Sequence, residues 1–391
     1  MIVALACLSG VALLLFLHPY ISYPLSLRLL APIPIKRCDV ASRHMSLLFS
    51  AFNEERALPE KLANLRTLKE VHSSLEILAY DDFSSDGTAA LLRENAALLT
   101  PVIASERAGK ATGMRRMVAQ AKGDVCIFTD ANVILDEAAI TRLNRYFDDP
   151  DVGGVAGSLR YINEDASTTA QVGGIYWRLE EHIKQLESRC GSIMGADGSI
   201  FAVRRELYPL VPPHLLDDMT VSFAVPLAGK RLVHATDVLA FERSATSSKD
   251  EFRRKRRIAC RAFNTHRHLW PAIRQTFSKR DLYKYVSHKL IRWFGFPLLL
   301  LAIVSAVAAL ALSDFWWLGP VKLAAALVAM LLGRAGAPVF SQSYEVLMSI
   351  AATFVGILDA QRGLTYQTWS PAASRDLPAP EAAVHEFEAV C

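Results

Sequence analysis

The chain has 391 residues, a formal net charge of +4 and a hydrophobic fraction of 52%. This length exceeds one ordinary domain, and the small net charge does not by itself indicate a nucleic-acid partner. The cysteines form neither a CxxC pair nor a dense framework, which argues against a zinc site and against a disulfide scaffold. A reduced, cytosol-facing catalytic region fits this cysteine usage best.

The first segment, Met1–Ile21, is almost entirely apolar and is long enough for one transmembrane helix. A cleaved signal peptide is not expected, because no Lys or Arg precedes the apolar run and no small-residue cleavage site is evident. A buried core helix is the alternative. Basic residues follow the segment and place the region after it in the cytoplasm by the positive-inside rule, namely Arg28, Lys36, Arg37 and Arg43.

The region after the linker alternates between strand-like and helical patterns. Four apolar runs have the length of strands, and polar residues stand at or just after their ends. They are Met45–Ser50, Leu75–Tyr80, Pro101–Ala104 and Val125–Thr129. Leucines at spacings of four and three predict a helix over residues 58–68. Strands that alternate with helices indicate right-handed βαβ units and therefore an α/β fold with a mostly parallel sheet flanked by helices. Because the carboxyl ends of parallel strands share one edge, the polar residues there are expected to lie together.

The fourth of these runs ends in Asp130-Ala131-Asn132. A buried strand that delivers a carboxylate to its carboxyl end is typical of a ligand site in an open α/β sheet. An Asp followed two residues later by an oxygen-bearing side chain suits a hard divalent cation that also holds phosphate oxygens. A simple polar turn is the alternative, since Asp and Asn are ordinary turn residues.

The second half of this region contains further candidates. Thr168–Ser188 has the pattern of an amphipathic helix, and the loop Gly195–Ser199 leads into a strand at Ile200–Val203. Asp217 and Asp218 begin another helical stretch. Their alternative interpretation is an acidic helix start, which the helix dipole favours.

Glu251–Trp270 is an amphipathic helix of unusual basicity. Its apolar residues fall on one face, namely Phe252, Ala259, Phe263 and Trp270. Such a helix is typical of one that lies on an anionic membrane surface. Some of its arginines could instead face a pyrophosphate, because guanidinium groups bind oxyanions bidentately. Nucleic-acid binding is disfavoured, because no aromatic platform accompanies the cluster.

The C-terminal region is again apolar. Phe294–Leu312 and Phe315–Gly333 are each long enough to span a bilayer, whereas Val346–Leu358 is shorter and is either a third span or an interfacial or re-entrant segment. The tail from Ser370 is rich in Pro, Ala and Glu, and we expect it to be disordered. The predicted division is an anchor (1–24), a linker (25–44), a catalytic domain (45–248), interfacial helices (249–288), a transmembrane region (289–362) and a tail (363–391).

Taken together, these motifs resemble the family 2 glycosyltransferases of the GT-A fold, and in particular the membrane-embedded bacterial cellulose, hyaluronan and poly-N-acetylglucosamine synthases. The resemblance covers roughly residues 45–270. It implies an inverting enzyme that moves a sugar from a nucleotide sugar, a UDP-hexose or UDP-N-acetylhexosamine, to a lipid or glycan acceptor and forms a β-linkage. It also implies a multi-pass protein of the inner (plasma) membrane with a cytoplasmic catalytic domain.

The resemblance implies roles for individual residues as well. Asp218 is the implied general base, with Asp217 beside it. Mg²⁺ or Mn²⁺ would bind at Asp130 and Asn132, and the acceptor side would include Gly195, Asp197 and Gly198. The implied nucleotide-sugar ligands are Ala51, Phe52, Glu54, Asp82, Lys110, Asp130, Arg254 and Arg257.

The sequence departs from the family pattern in two places. Asn132 replaces the second acid of the metal motif, and the basic run Arg253–Arg261 lacks the Gln and Trp of the family's Q-x-x-R-W motif. The missing Trp weakens the expectation of a processive polysaccharide synthase, which remains an alternative. A second alternative is a catalytically impaired, membrane-bound subunit that binds nucleotide sugars or serves in assembly. A transporter is disfavoured, because about half of the chain is predicted to be soluble α/β material.

Overall fold

The computed structural model describes residues 1–36 and 43–368. The predictions for Arg37 and for the tail beyond residue 368 therefore lie outside the described residues. One eight-stranded sheet is present in the described part. Its strands are β1 Met45–Ala51, β2 Glu76–Asp81, β3 Thr100–Ile103, β4 Val125–Asp130, β5 Ile134–Leu135, β6 Val152–Tyr161, β7 Ile200–Arg204 and β8 Arg231–Glu242.

The helices of the described part flank this sheet or follow it. They are α1 Ile2–Leu17, α2 Ser22–Arg28, α3 Leu58–Val71, α4 Thr88–Glu94, α5 Lys110–Gln120, α6 Ala139–Tyr146, α7 Thr168–Arg189, α8 Asp217–Leu227, α9 Ser248–Thr276, α10 Lys279–Tyr285, α11 Ile291–Trp293, α12 Gly295–Ala311, α13 Leu318–Arg334 and α14 Phe340–Gln361. A π-helical turn, Val286–Leu290, joins α10 to α11.

The sheet has a parallel half and a mixed half. Its strand order is β3-β2-β1-β4-β7-β6-β8-β5, and the first four strands are parallel to one another. β7 is antiparallel to both β4 and β6, while β8 is parallel to β6 and antiparallel to β5. The predicted parallel sheet is thus confirmed for residues 45–130. The second half is mixed, because β7 enters the sheet beside β4 in the opposite direction.

Both faces of the sheet are covered by helices. Leu47 and Phe49 of β1 face one core, in which the α3 leucines are buried, and Leu48 faces a second core with Met114 and Met117 of α5. This alternation follows from the two-residue period of a strand. Burial of each such side chain stabilises the fold by roughly 1.5–3 kcal/mol. With both faces occupied, the carboxyl edge of the parallel strands is the place where a ligand can reach the sheet.

The apolar segments form helices of different lengths from those expected. Within the described residues, α14 alone is long and apolar enough to cross a bilayer by itself, and up to three spans result if each bent helix pair is one span. The bent pairs are α1 with α2, at 58°, and Lys279–Trp293 with α12, at 66°. The shortest predicted run, 346–358, therefore lies in the clearest candidate. Its helix extends beyond the apolar stretch because polar residues such as Glu345 and Asp359 also take helical backbone.

The long basic helix α9 packs against protein along much of its apolar side. Ala259 is buried, and Phe263 and Trp270 join a cluster with Phe223 of α8 and Trp293 of α11. This differs from the prediction that the apolar face rests on lipid. The reason is that α8 and α14 supply a complementary surface, and α14 approaches so closely that a Cβ at its Gly356 would lie 2.3 Å from a backbone oxygen of α9.

Candidate active site

A cavity of about 1530 Å³ opens at the carboxyl edge of the sheet. Pockets for a single small ligand measure roughly 300–1,000 Å³, so this one has room for two substrates. Ala51, Phe52 and Asp82 do not line it. The predicted site residues that do line it are Glu54, Lys110, Asp130, Asn132, Gly195, Asp197, Gly198, Asp217, Asp218, Arg254 and Arg257.

Three charged side chains converge around Gly198. Lys110 Nζ lies 2.6 Å from Asp130 Oδ1. A Cβ atom placed on Gly198 would lie 3.0 Å from Lys110 Nζ, 3.5 Å from Asp130 Oδ2 and 3.6 Å from Asp218 Oδ2. The small residue therefore leaves open the space that these groups share. Three carboxylates, on Asp130, Asp217 and Asp218, raise the pKa of Lys110 above its ordinary value although burial opposes them, so the lysine stays charged at neutral pH.

The two acids at the start of α8 have different surroundings. Asp217 is buried, and its oxygens lie 3.7 Å from Lys110 Nζ and 3.6 Å from Arg261 Nη2. Asp218 Oδ1 accepts a hydrogen bond from the backbone N–H of Met219, and its Oδ2 faces Gly198. Burial, and then the charge of Asp217, raise the pKa of Asp218 to about 7. A carboxylate with that pKa suits proton transfer near neutral pH.

The Arg107–Lys110 loop is held from below by Asp82. Asp82 is fully buried, and its Oδ1 accepts hydrogen bonds of 2.9 Å from the backbone N–H groups of Ala108 and Gly109. The guanidinium of Arg107 stacks on the Phe52 ring, 3.3 Å from its centroid. The resemblance implies that Asp82 is a nucleotide-sugar ligand, which remains a prediction. In the structure its carboxylate lies beneath the loop that presents Lys110.

Arg257 makes no hydrogen bond and no ion pair among the described residues, whereas Arg254 pairs with Glu251 at 3.4 Å. The carboxylates of Asp130 and Asp217 act on Arg257 only at longer range. Burial, and then the neighbouring charges of Arg261 and Arg254, lower the pKa of Arg257 to about 10. A half-buried guanidinium in such surroundings favours an anionic ligand, for which its bidentate geometry suits a phosphate.

Comparison with known proteins agrees with this geometry. Residues 46–209 match the family model described as "Glycosyl transferase family 2". The chain carries a family 2 glycosyltransferase domain. The matched residues include Asp82, Lys110, Asp130 and Gly198, whereas the acids at the start of α8 follow the match.

The curated relatives are similar to part of this chain. The poly-beta-1,6-N-acetyl-D-glucosamine synthase of Staphylococcus aureus is 27% identical over 197 residues, which are 48% of this chain and 47% of that protein. An undecaprenyl-phosphate 4-deoxy-4-formamido-L-arabinose transferase of Pseudomonas fluorescens is 33% identical over 104 residues, 25% of this chain and 31% of that protein. The chain spans about half the length, or less, of these relatives.

A solved structure shares the fold over most of the chain. It is the mannosyltransferase PcManGT from Pyrobaculum calidifontis in complex with GDP-Man and Mn²⁺, with a TM-score of 0.70 and 20% identity. The match covers 90% of this chain and 99% of the other. The common fold therefore extends beyond the family domain, into the helices that follow it.

The predicted metal position in the glycosyltransferase offers a small set of oxygen donors. Lys110 engages Oδ1 of Asp130, and Oδ2 has no hydrogen-bond partner among the described residues. Asn132 Nδ2 donates to Glu242 Oε1 at 2.9 Å, which leaves its amide oxygen as a donor for a cation. No group of three or more His, Cys or acidic side chains suited to a metal occurs in the described part of the chain. The two oxygens, Oδ2 of Asp130 and the amide oxygen of Asn132, fit a hard divalent cation whose remaining ligands come from a diphosphate and water.

Several contributors to the site were missed by sequence reasoning. Arg261 was seen only as part of a basic run, although its spacing of four from Arg257 places both on one helical face. Lys61 is fully buried and donates to the backbone oxygen of Val133 at 2.6 Å, which supports the turn after Asp130. Gln367 Nε2 donates to Ala108 O at 3.2 Å, so residues expected to form part of a tail contact the Lys110 loop. Local sequence carries no signal for these last two contacts.

The cavity continues from the charged cluster toward the apolar helices. Its far end is lined by Phe16 and Leu17 at the end of α1, Leu299 of α12 and Ile350 of α14. The wall of the cavity also contains three further cations, Lys255, Lys289 and Arg292. Arg292 lies 2.5 Å from Glu180 Oε2 and 3.0 Å from the Tyr176 hydroxyl. One continuous cavity thus joins acidic and basic groups to an apolar surface.

Proposed function

We propose that the chain is an inverting glycosyltransferase of the membrane, which transfers a sugar from a nucleoside diphosphate sugar to a hydroxyl group of a lipid. The observation that carries this proposal is the continuous cavity. Charged groups suited to a diphosphate stand at one end, and the apolar residues of α1, α12 and α14 stand at the other. An amphipathic acceptor fits such a cavity better than a free sugar does.

In the proposed mechanism, Asp218 Oδ2 accepts the proton of the acceptor hydroxyl as its oxygen attacks the anomeric carbon. The bond between that carbon and the diphosphate oxygen breaks, and the diphosphate leaves with the electron pair. Displacement from the opposite side converts an α-linked donor into a β-linked product. Lys110 and Arg257 stabilise the negative charge that develops on the leaving group.

Asp130 and Asn132 would hold a divalent cation in this proposal. A bound Mg²⁺ or Mn²⁺ would neutralise charge on the diphosphate. Mn²⁺ is present in the related PcManGT structure, which supports a metal of this class. Because Lys110 already pairs with Asp130, protein and metal cations would share the task of charge neutralisation.

The acceptor class includes lipids with a phosphate in the headgroup. Lys255, Lys289 and Arg292 line the same cavity as the reacting groups and the apolar residues, and they would bind such a phosphate. A UDP-linked hexose or N-acetylhexosamine is the proposed donor. The active site would face the cytoplasm at the inner (plasma) membrane, and no nucleic-acid partner is proposed.

A processive polysaccharide synthase is the second candidate. It is favoured by the 27% identity to the poly-beta-1,6-N-acetyl-D-glucosamine synthase, over 48% of this chain. It would use the same donor site and would require the cavity to release a growing glycan. A catalytically impaired binding subunit is the third candidate, supported by Asn132 in the metal motif.

The test is a screen of UDP-, GDP- and dTDP-sugars on the purified full chain in detergent, with and without Mn²⁺. Acceptors are a short-chain polyprenyl phosphate, a lipid-linked monosaccharide, diacylglycerol and a β-linked oligosaccharide. We expect a lipid product that carries one added sugar, lost in Asp130→Ala. A ladder of high-mass glycan would overturn the lipid proposal. Absence of both transfer and nucleotide release would support the binding subunit.

A further inference from the structure

Glu187, near the end of α7, is the centre of a buried hydrogen-bonded cluster. Its Oε1 accepts from the Tyr23 hydroxyl at 2.5 Å and from His288 Nδ1 at 2.8 Å. Its Oε2 accepts from the backbone N–H of Met194 at 2.9 Å. Tyr23, Glu187 and His288, all fully buried, are here called the Glu187 cluster. Through Glu187, the cluster therefore links the backbone of the loop that follows α7 to the side chains of Tyr23 and His288, which belong to other elements.

His288 completes the cluster with a second carboxylate. Its Nε2 lies 2.9 Å from Oε1 of Glu180. Glu180 precedes Glu187 by about two turns of α7 and lies on the same side of that helix. Both ring nitrogens of His288 therefore face a carboxylate oxygen of α7. Taking carboxylates out of water costs free energy, and an apolar replacement would often be as stable. Such a cluster is therefore better explained by a need for defined geometry than by stability.

The loop that the cluster holds, residues 190–199, ends in the active site. Two buried lysines also hold this loop. Lys284 Nζ donates to Ser192 O at 3.0 Å, and Lys184 Nζ donates to Asp197 Oδ2 at 2.7 Å. Bonds to the sheet hold it as well, since Ile193 N–H donates to Leu232 O at 2.8 Å and Thr129 Oγ1 donates to Ser199 O at 2.7 Å. The far end of the loop places Gly198 against Lys110, Asp130 and Asp218. Met194, which Glu187 holds, thus lies four residues before Gly198 in the same loop.

The two side-chain partners of Glu187 lie beside the two apolar parts of the chain, one near its N-terminus and one after the catalytic domain. Tyr23 lies in α2, directly after the apolar helix α1. His288 lies in the π-helical turn between α10 and the short helix α11, which leads into the apolar helix α12. π-helical turns occur mostly as single turns and are frequent at functional sites. The two helices that enter the apolar region thus meet at one carboxylate of the catalytic domain.

We propose that the Glu187 cluster positions the 190–199 loop for acceptor binding and couples that loop to the apolar helices. Tyr23, Glu187 and His288 are positioning residues, since they act on the acceptor through Met194 and the backbone of the loop. The inference rests on the proposed function for its acceptor readout. It predicts that loss of the cluster impairs acceptor binding while donor binding, which depends on Lys110, Asp130 and Arg257, is retained.

Two variants test it, Tyr23→Phe, which removes one hydroxyl, and Glu187→Gln, which keeps the shape but removes the charge. With the lipid acceptor and Mn²⁺, we expect the acceptor KM to rise roughly tenfold, in keeping with one lost hydrogen bond to a charged group. We expect the donor KM to change by less than about twofold, since additive effects are the rule for separate sites. Hydrogen exchange of the 190–199 amides in the full chain should accelerate in both variants.

The control is Asp149→Asn. Asp149 is another buried carboxylate that accepts from backbone N–H groups, those of Lys36 and Asp151, both at 3.0 Å, and it does not line the cavity. An acceptor KM that rises equally in the control, or 190–199 amide exchange that is unchanged in Tyr23→Phe and Glu187→Gln, would overturn the inference. If the native chain transfers to no lipid, the proposed function fails, and the exchange measurement still decides the inference.

Discussion

Lys110 Nζ donates to Asp130 Oδ1 across 2.6 Å and thereby joins the first residue of α5 to the last residue of β4. Gly109, which precedes the lysine, has a φ of +85°, a backbone conformation that glycine adopts without steric cost. The pair brings a cation and a carboxylate to the same point of the sheet edge. A diphosphate at this point would meet both Lys110 and a cation held by Asp130.

Replacement of this lysine should weaken donor binding. In Lys110→Gln the point charge is lost and Asp130 is left without its partner, so we expect donor kcat/KM to fall roughly 10- to 100-fold, as for a lost charged hydrogen bond. The measurement is nucleotide release at a series of donor concentrations. Lys122→Gln, at an exposed position, is the matched control and should behave as the native chain. Equal activity of both variants would remove Lys110 from the site.

The pH dependence should report the ionisation of Asp218. Its pKa is raised to about 7, and a general base acts in its deprotonated form, so kcat/KM should rise as pH increases toward about 7 and then level off. Asp218→Asn should lose this inflection together with roughly 10²- to 10⁴-fold of the transfer rate. Donor binding by Asp218→Asn, followed by calorimetry, should be retained. Normal turnover in that variant would exclude Asp218 as the base.

A second carboxylate in the metal motif should make the stability of the fold depend on divalent cations. Asn132→Asp loses the hydrogen bond to Glu242 and adds a like charge, so unfolding free energy without metal should fall by about 1–3 kcal/mol. Mn²⁺ should reverse this loss, because it would bind between oxygens that otherwise repel. Thermal unfolding with and without Mn²⁺ measures both effects.

The control for this substitution is Asn64→Asp. Asn64 Nδ2 also donates to a protein oxygen, that of Leu135, at 2.8 Å. Its variant should lose stability without rescue by Mn²⁺, because Asn64 lies outside the cavity wall. Rescue of both variants, or of neither, would argue against Asn132 as a metal ligand.

The space beside Gly198 should be essential for transfer. In Gly198→Ala the new methyl group would lie 3.0 Å from Lys110 Nζ, which is tighter than ordinary contact, so the lysine must shift away from Asp130. We expect kcat/KM to fall about tenfold or more, with a change in unfolding free energy below about 1.5 kcal/mol. In α13, Gly319→Ala meets its neighbours at 3.6 Å and should leave the rate unchanged. Native activity in Gly198→Ala would contradict the convergence of these groups on one point.

Much of the first half of the catalytic domain was predictable from local pattern. The leucines of α3 repeat at helical spacing, and β1, β2 and β4 are largely apolar runs, of which β2 and β4 end in aspartate. Since parallel strands share their carboxyl edge, the meeting of Lys110 with Asp130 also followed from the order of strands and helices. Asp217 and Asp218 were correctly expected at a helix start. The catalytic and ligand roles of these residues remain predictions.

The second half of the catalytic domain was harder to predict from the sequence. β6 and β8 pair in parallel with two irregularities of register, and neither strand was expected. Glycine-rich strands such as Val152–Tyr161 give a weak two-residue period, because glycine has no side chain to alternate. The basic run of α9 was recognised, but its division was not. Arg256 pairs with Asp359 and Arg261 pairs with Asp217, whereas Arg257 has no ion-pair partner in the part of the chain that the structure describes.

The sequence by itself determined the family resemblance, the α/β order of residues 45–130 and the apolar character of the segments on either side of the catalytic domain. These properties depend on residues close together in the chain, whose hydrophobic period and turn chemistry act locally. Only the tertiary structure decided that Asp82 lies beneath a loop, that Asn132 faces Glu242 and that Glu187 holds Tyr23, His288 and Met194 together. These contacts join residues far apart in the chain, and no local pattern encodes them, because they form only when separate elements pack.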